Sequence, residues 1–270
     1  MQLNPSIVLS GIIKHYLFLD TQAEEVKKLR LFSDGNMGLV FSFKNNLIQG
    51  FTTQNIPEYL PDTFVYGQLN SFKNLYCQGD TSLLIVVFHA YGLNNVLNIA
   101  SNELKDNIIQ TTDLFGTDAT NLQEQLMEQI TIQGKINSVE DFFRKLVSRK
   151  STPSPSLVIT SIDFIVKNKG IVSIPQLTAF TGCSERKLER VFTEKIGVSP
   201  KKFSGIVKLH TFLKSIKSNK EKLNLTSLAY ETGYYDQPNL IREFKKYTGL
   251  TPSQYLHKVD PLAVNFLELS

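Results

Sequence analysis

The sequence is poor in the residues that carry most metal and nucleophilic chemistry. It has two cysteines and four histidines among 270 residues. Cys77 and Cys183 match no metal or redox spacing, so we interpret them as inert thiols of a protein from a reducing compartment. Residues 1–150 contain only His15 and His89, whereas a metal site needs several converging ligands. The sequence therefore predicts no metal site and no cofactor.

Long apolar runs and targeting segments are missing as well. No apolar run approaches the 18 or more residues of a membrane span. The stretch that begins at Met1 lacks a basic region and a small-residue cleavage site, which argues against secretion. No Ser-His-Asp set, phosphate-binding loop or glycine-rich nucleotide fingerprint is present. These features predict a cytoplasmic protein that does not contact a membrane, is not an enzyme and has no catalytic residues.

Charge is distributed unevenly along the chain. Residues 151–270 hold 17 Lys and Arg against 10 Asp and Glu, a balance of +7, whereas residues 1–150 have a balance of −3. Basic charge concentrated in one part of a chain is typical of nucleic-acid binding, although many solvated helices are also rich in lysine. The asymmetry directs attention to the second half of the chain.

The stretch Leu225–Tyr255 begins with the pattern of a short helix and a tight turn. The helical pattern covers Thr226–Thr232, and either Asn224 or Thr226 suits its N-cap. Gly233 then suits a turn between helices, because glycine adopts a positive φ without steric cost. The pattern predicts the first helix and turn of a helix-turn-helix.

A second helical pattern follows from Asp236. Leu240, Ile241 and Phe244 fall at helical spacing and predict an inward stripe, whereas the polar and basic residues lie off it. Gly249 ends this helix, and the Thr-Pro pair at 251–252 opens another. A short helix, a glycine turn and a second helix with a basic outer face are typical of a unit whose second helix enters the major groove of DNA.

The same pattern occurs earlier, between Thr181 and Phe203. Six residues recur at one offset of 52 positions, and all of them are predicted core, turn or cap residues. They are Leu188, Arg190, Phe192, Gly197, Pro200 and Phe203, which precede Leu240, Arg242, Phe244, Gly249, Pro252 and Tyr255. The sequence therefore predicts two helix-turn-helix units in tandem, joined by a helix over residues 200–218.

Residues 158–258 resemble the DNA-binding domain of the AraC/XylS family of bacterial transcription regulators. The closest match is the stretch GYYDQPNLIREFKKYTGLTPSQY from Gly233, which resembles the family's signature at its second helix-turn-helix. The resemblance covers about 100 residues. It implies seven helices and two recognition helices that enter successive major grooves of double-stranded DNA.

The resemblance assigns roles to twelve residues. The side chains that would read bases, by hydrogen bonds to guanine, adenine or cytosine edges, are Arg186, Glu189, Arg190, Gln237, Asn239 and Arg242. Those that would contact phosphates are Ser184, Lys187, Lys201, Lys202, Lys245 and Lys246, and Ser184 would also cap its helix. Pro238 departs from the small or polar residue that is usual there. A solvated helix face is the alternative interpretation for each charged residue.

The first part of the chain reads as β-rich and then helical. Strands are predicted within 7–18, 38–43, 47–51, 63–69 and 82–91, and helical segments within 101–109, 121–133 and 138–149. In the second of these helical segments, Leu122, Leu126, Met127 and Ile130 share one face. The order loosely resembles a sensor domain trimmed to half a barrel, followed by helices suited to dimerisation. The Pro/Ser segment 151–156 predicts the domain boundary.

We therefore predict an α+β protein. It has a β-rich half-barrel with helices over 1–150 and an all-α tandem helix-turn-helix domain of seven helices over 157–260. From Ser151 onward the chain should fold alone and bind DNA. The predicted function is sequence-specific transcription regulation, as an activator with RNA polymerase as partner, modulated by a small-molecule effector or a homodimer of the first domain.

Three interpretations of the first domain stay open at this point. It either senses a ligand, or only dimerises, or is an enzyme or sugar-binding domain tethered to DNA. A polar pocket would favour sensing, a packed interior would favour dimerisation alone, and converging acid, base or metal ligands would favour the enzyme. The apolar tail 261–270 docks either on its own domain or on a partner.

Overall fold

The computed structural model describes six stretches of the chain, residues 1–22, 24–97, 99–148, 157–218, 224–257 and 259–269. The chain forms two compact units. The N-terminal unit comprises Met1–Leu29, Asn36–Gln68 and Asn74–Ser154. The C-terminal unit comprises Pro155–Ser270 and two short stretches from earlier in the chain, Arg30–Gly35 and Leu69–Lys73. The segment 151–156, predicted as the domain boundary, lies outside the described residues.

The first part of the chain contains most of the strands. They are β1 (Gln2–Leu3), β2 (Ile13–Thr21), β3 (Lys27–Leu31), β4 (Gly38–Ser42), β5 (Ile48–Phe51), β6 (Pro57–Tyr59), β7 (Thr63–Tyr66), β8 (Lys73–Cys77), β9 (Thr81–Phe88) and β10 (Ile108–Gln110). The helices are α1 (Gly92–Leu97), α2 (Ser101–Leu104), α3 (Thr111–Phe115), α4 (Thr117–Glu128) and α5 (Ile132–Ser148).

Six of these strands form an antiparallel sheet in the order β1-β2-β9-β4-β7-β10. β9 is buried along its whole length between β2 and β4, where Val86 lies opposite Tyr16 and Ile85 lies opposite Val40. The apolar run over 82–91 is thus the buried strand that the sequence predicts. A second group of strands pairs β5 with both β6 and β8. Within the described residues neither group closes into a barrel, and the predicted β-rich fold class is confirmed.

Three local predictions for the N-terminal unit are wrong. The chain turns through residues 7–12 before β2, so the first predicted strand begins late. Residues 101–109 hold the short helix α2 and then β10, because the isoleucines at the end of that segment pair with β7. Met127 and Ile130 are 58% and 98% exposed, because Met127 lies off the helix face that buries Leu122 and Leu126, and Ile130 follows the end of α4 at Glu128.

α4 and α5 contribute to the core of the N-terminal unit. Phe143 of α5 is fully buried and packs edge-on against Phe88 of β9, with ring centroids 5.3 Å apart. Buried Glu140 accepts hydrogen bonds from the Ser6 N–H at 2.7 Å, from the Tyr16 hydroxyl at 3.4 Å and from Arg144 at 2.5 Å. Burial and the neighbouring carboxylate raise the pKa of Tyr16. This network ties α5 to β2 and to the start of the chain.

The C-terminal unit contains seven helices in its described part. They are α6 (Leu157–Lys167), α7 (Ile174–Thr181), α8 (Glu185–Ile196), α9 (Pro200–Ser218), α10 (Leu225–Glu231), α11 (Gln237–Thr248) and α12 (Pro252–His257). The predicted seven helices are confirmed. The unit also ends in an antiparallel hairpin of β11 (Val259–Ala263) and β12 (Phe266–Leu269), which the all-α prediction did not include.

The hairpin and an earlier stretch of chain complete one core of the C-terminal unit. Leu267 of the hairpin and Phe32 are both fully buried against the inner faces of α9, α10 and α11. The Phe32 N–H donates to the Asn265 carbonyl, and the Asn265 amide donates to the Phe32 carbonyl, each at 3.0 Å. The tail therefore docks on its own unit, which was one of the two alternatives open from sequence.

Polar contacts reinforce this assembly. The Arg30 guanidinium donates to the Thr248 carbonyl at 3.3 Å and lies 4.2 Å from the centroid of the Phe72 ring. A cation at this position favours the C-terminus of α11, whose last residue is Thr248. His210 of α9 donates through Nε2 to the Ser33 carbonyl at 3.0 Å.

Candidate nucleic-acid interface

The first helix-turn-helix consists of α7, a turn at Gly182 and α8. Ser173 and Gln176 form a capping box at the start of α7. Gly182 ends α7 with a φ of 65°, in the left-handed region that glycine adopts most easily. Ser184 caps α8 by accepting a hydrogen bond from the Lys187 N–H at 3.4 Å. These local signals fix where the recognition helix α8 begins.

The second helix-turn-helix consists of α10, a turn at Gly233 and α11. The Asn224 side chain caps α10, which selects one of the two caps that the sequence left open. Gly233 has a φ of 80°, and a Cβ there would lie 2.6 Å from Ile171. Asp236 caps α11 through the Asn239 N–H at 2.7 Å. Glycine is thus required at this turn both by its backbone conformation and by the close approach of Ile171.

The two units are structurally equivalent along the offset of 52 residues. Ser184 and Asp236 are both N-caps, and Gly197 and Gly249 both end their helices in the left-handed conformation. The inward residues are fully buried in both units, and they are Leu188, Phe192, Leu240 and Phe244. The predicted repeat is therefore a repeat of structure as well as of sequence.

On α8 the three predicted base-reading side chains lie on the side away from the core. Arg186 and Arg190 are exposed, and Glu189 is half-buried. They occupy consecutive turns of the helix, with buried Leu188 and Phe192 on the opposite side. Two guanidinium donors flank one carboxylate acceptor on this face, so it offers hydrogen bonds of both kinds to base edges.

On α11 the three predicted base-reading side chains differ in their surroundings. Arg242 is exposed, whereas Gln237 and Asn239 are half-buried near the start of the helix. Gln237 accepts a hydrogen bond from the Thr226 hydroxyl at 2.9 Å, which holds the amide beside α10. Arg242 is therefore the most exposed of the three side chains.

The predicted phosphate contacts fall into two groups. Lys187, Lys201, Lys245 and Lys246 are exposed, as is the cap residue Ser184. Lys202 is half-buried and donates through Nζ to the carbonyl of Asn70 at 2.9 Å and to its side-chain oxygen. The Lys202 ammonium therefore forms hydrogen bonds within the C-terminal unit, and Lys202 is less exposed than the other four lysines.

Sequence reasoning placed Ile241 on the inward stripe of α11, and the structure does not. Ile241 is half-buried and lines a shallow, open depression of about 560 Å³ with Pro238, Arg242, Lys245 and Lys246. These residues recur every three or four positions, so they form one outer face. The signal was present in the sequence, because Ile241 follows the buried Leu240 and stands at the repeat position of the polar Glu189.

Three buried tyrosines belong to the core that contains the inner face of α11. Burial is the largest cause that raises the pKa of Tyr234, and the nearby Glu243 adds to it. Burial also raises the pKa of Tyr247 and of Tyr255 to about 12, again with a contribution from Glu243 at Tyr247. Glu243 itself pairs with Lys208 at 3.3 Å, so its charge is directed toward α9 and away from the outer face. The acid therefore leaves the basic character of that face intact.

In the part of the chain that the structure describes, no group of three or more His, Cys, Asp or Glu side chains is arranged to hold a metal ion. Nor is any helix among those residues long and apolar enough to cross a membrane.

The fold and the paired outer faces define the C-terminal unit as a tandem helix-turn-helix domain. Residues 177–258 match the family model of a helix-turn-helix domain, and the resemblance to the AraC/XylS type is confirmed. Residues 1–110 match a second family model, described as a domain of unknown function (DUF6597). This match covers the strands β1 to β10.

Two curated proteins are similar to part of the chain. An uncharacterised HTH-type transcriptional regulator of Haemophilus influenzae is 31% identical over 86 residues, which are 32% of this chain and 28% of that protein. Another, from Staphylococcus aureus strain COL, is 31% identical over 91 residues, which are 31% of this chain and 11% of that protein. The chain therefore spans less than a third of the length of either relative.

One solved structure of ToxT from Vibrio cholerae shares the fold. An apo ToxT variant from strain SCE256 is similar with a TM-score of 0.51 and 13% identity, over 94% of this chain and 98% of that chain. ToxT from strain O395 has a TM-score of 0.47 and 12% identity, over 89% and 96% of the two chains. At such low identity the likeness concerns the fold alone.

Proposed function

We propose that this protein is a bacterial transcription regulator that binds double-stranded DNA sequence-specifically through both helix-turn-helix units. The observation that carries the proposal is the structural repeat, in which Arg190 and Arg242 stand exposed at equivalent places on two equally capped helices. Each arginine lies between inward residues two positions before and after it. A shared outward arginine on two recognition helices is best explained by a shared task at the DNA.

The chemistry of the two faces fits this task. A guanidinium donates two parallel hydrogen bonds to O6 and N7 of guanine, and Glu189 accepts from N4 of cytosine. The amides of Gln237 and Asn239 match adenine, and the Gln237 oxygen that accepts from Thr226 keeps a second lone pair for a base. Exposed Lys187, Lys201, Lys245 and Lys246, with Ser184, would contact phosphates and fix the register.

The N-terminal unit modulates this activity in our proposal, and its packing bears on how. Its core is filled by large apolar side chains that are almost fully buried, among them Tyr16, Met37, Phe88 and Phe143. These buried side chains are consistent with the alternative in which this unit only dimerises, and binding of a small-molecule effector is the other alternative. In either case we propose a homodimer that contacts RNA polymerase as an activator in the cytoplasm.

Selection of duplexes from a randomised DNA pool by the full-length chain tests the function. We expect two short conserved blocks whose centres are about one helical turn apart, since the two helices enter successive major grooves. Insertion of five base pairs between the blocks turns one to the opposite face of the DNA, and affinity should fall to that of a single block. As a matched control, Lys14→Ala in the N-terminal unit should bind like the wild type. Recovery of no conserved block would contradict the proposal.

A further inference from the structure

The outer face of α11 is both basic and apolar. The depression on this face is lined mainly by carbon atoms, and Pro238 and Ile241 form its apolar part. Arg242, Lys245 and Lys246 surround it, and none of the three forms an ion pair with another described residue. A protein partner with an apolar surface would leave three cations without counter-charges. A polyanion that also carries an apolar group satisfies both parts of the face.

The equivalent face of α8 is polar and contains residues of both charges. The residues there, at an offset of 52 positions, are Arg186, Glu189, Arg190, Thr193 and Glu194. Only the arginine, Arg190 or Arg242, is common to both faces. Where α8 has the polar pair Arg186 and Glu189, α11 has Pro238 and Ile241. The apolar pair is therefore specific to the second recognition helix and is not required by the helix-turn-helix itself.

The major groove of DNA offers one apolar group at base edges, the C5-methyl group of thymine. Apart from the small C5–H of cytosine, the other base-edge features in that groove are hydrogen-bond donors or acceptors, which neither a proline ring nor an isoleucine can satisfy. Ile241 precedes Arg242 directly in the chain, so an apolar contact would fall beside the base that the guanidinium reads.

We infer that Pro238 and Ile241 form a thymine-methyl contact, so that the second half-site carries thymine next to the guanine bonded by Arg242. The inference rests on the proposed function and deepens it, because it assigns a base to two residues without hydrogen-bonding side chains. α8 then reads its half-site by hydrogen bonds alone, whereas α11 adds one apolar contact to the hydrogen bonds of Arg242, Gln237 and Asn239.

Replacement of thymine by deoxyuridine tests this directly, because uracil lacks only the methyl group and keeps the same pairing. Each thymine of a duplex selected by the full-length protein is replaced singly, and binding is measured by fluorescence anisotropy. We expect one replacement, in the block read by α11, to weaken wild-type binding about fourfold, the factor that corresponds to burial of one methyl-sized group. The other replacements should have little effect.

Variants then assign the contact to its residues. Ile241→Ala should bind the thymine and the uracil duplex equally, whereas Ile241→Val should keep part of the discrimination. Val166→Ala on α6 is the matched control, since Val166 is also a branched aliphatic residue and is 53% exposed. It should discriminate like the wild type. Thermal unfolding of each variant checks that the half-buried Ile241 is not needed for folding.

The possible outcomes distinguish a failure of this inference from a failure of the proposed function on which it rests. If the protein selects a specific duplex but binds every thymine and uracil version equally, the methyl contact is wrong and the proposed function stands. If Ile241→Ala keeps the full discrimination, the contact belongs to other residues and the assignment is wrong. If no specific duplex is selected, the proposed function itself fails.

Discussion

The two helix-turn-helix units share their backbone plan and differ in what surrounds it. Both have a capped recognition helix, a glycine C-cap and a proline at the start of the next helix. The second unit packs in a core that also holds Phe32 and Leu267, from distant parts of the chain. The outer face of α8 carries two arginines, two glutamates and a threonine, whereas that of α11 carries three cations and no acid.

The difference in charge between the two outer faces predicts different roles for α8 and α11 in DNA binding. Balanced charge on α8 weakens its attraction to phosphate but gives it both donors and acceptors for base edges. Excess positive charge on α11 attracts the DNA backbone irrespective of sequence. The second unit is also the one that the stretches Arg30–Gly35 and Leu69–Lys73 complete. The stability of the second unit should therefore depend on these two stretches more than that of the first unit does.

Phe32→Ala should have the largest effect of the variants considered. Phe32 is fully buried in the core beneath α9, α10 and α11, so its truncation should lower the free energy of unfolding by about 3–5 kcal/mol. Urea unfolding followed by circular dichroism measures this. Phe180→Ala in the first unit is the control, since Phe180 is 50% exposed and should cost far less. Equal losses in the two variants would show that the second unit does not depend on this distant stretch.

The same stretch revises the expectation for the isolated fragment. The sequence predicts that the chain from Ser151 onward folds alone. Such a fragment would lack Phe32, Arg30 and the Asn70 acceptors of Lys202, all of which lie in the C-terminal unit. We therefore expect it to melt at a lower temperature than the C-terminal unit does in the full chain.

Lys245→Ala and Lys246→Ala should each lower the salt dependence of DNA binding. Loss of one phosphate contact reduces the slope of log affinity against log salt concentration by roughly one unit, and it should do so on specific and scrambled duplexes alike. Thr193→Lys places a cation at the position of α8 that corresponds to Lys245, and it should raise the slope. An unchanged slope in both alanine variants would reject the phosphate role.

A smaller difference between the two helix-turn-helix units should appear in the dependence of their stability on alkaline pH. The pKa of Tyr247 and of Tyr255 is raised to about 12, whereas unfolded tyrosine titrates near pH 10. The folded state holds these protons more tightly, so stability is constant below about pH 10 and falls as pH rises toward 12. Phe203 replaces Tyr255 in the first unit and does not titrate.

Urea unfolding at several pH values between 9 and 12 measures this dependence. Tyr255→Phe should flatten the decline, while Tyr235→Phe, at a residue that is 84% exposed, should leave it unchanged. A decline of the same steepness in both variants would mean that other groups cause it.

The sequence predicted the features that depend on residues close together in the chain, namely the helix cores, the helix ends and the repeat. Helical spacing identified Leu188, Phe192, Leu240 and Phe244 as core, and all four are fully buried. Cap and turn residues located the helix ends, because their preferences arise from the backbone within a few residues. The repeat itself was visible since two copies of one local pattern reinforce each other.

The sequence did not predict what depends on distant contacts. Nothing near Phe32 marks it as part of a helical core more than 170 positions later in the chain. Lys202 reads as one more basic surface residue until Asn70 is seen beside it. Ile241 was placed inward because apolar residues usually are, although its repeat position holds the polar Glu189, and the structure shows it on the outer face of α11. Spacing gives the period of a helix but not the width of its buried stripe.

Methylation interference tests the central claim, that both recognition helices read DNA in successive major grooves. Guanine N7 lies in the major groove, so its methylation blocks an arginine that binds there. On a selected duplex we expect interference at two positions about one helical turn apart. Arg190→Ala should remove one signal and Arg242→Ala the other, and each should lose about 1–3 kcal/mol against the specific duplex and far less against scrambled DNA. A single interference position, or equal losses on both duplexes, would contradict the account.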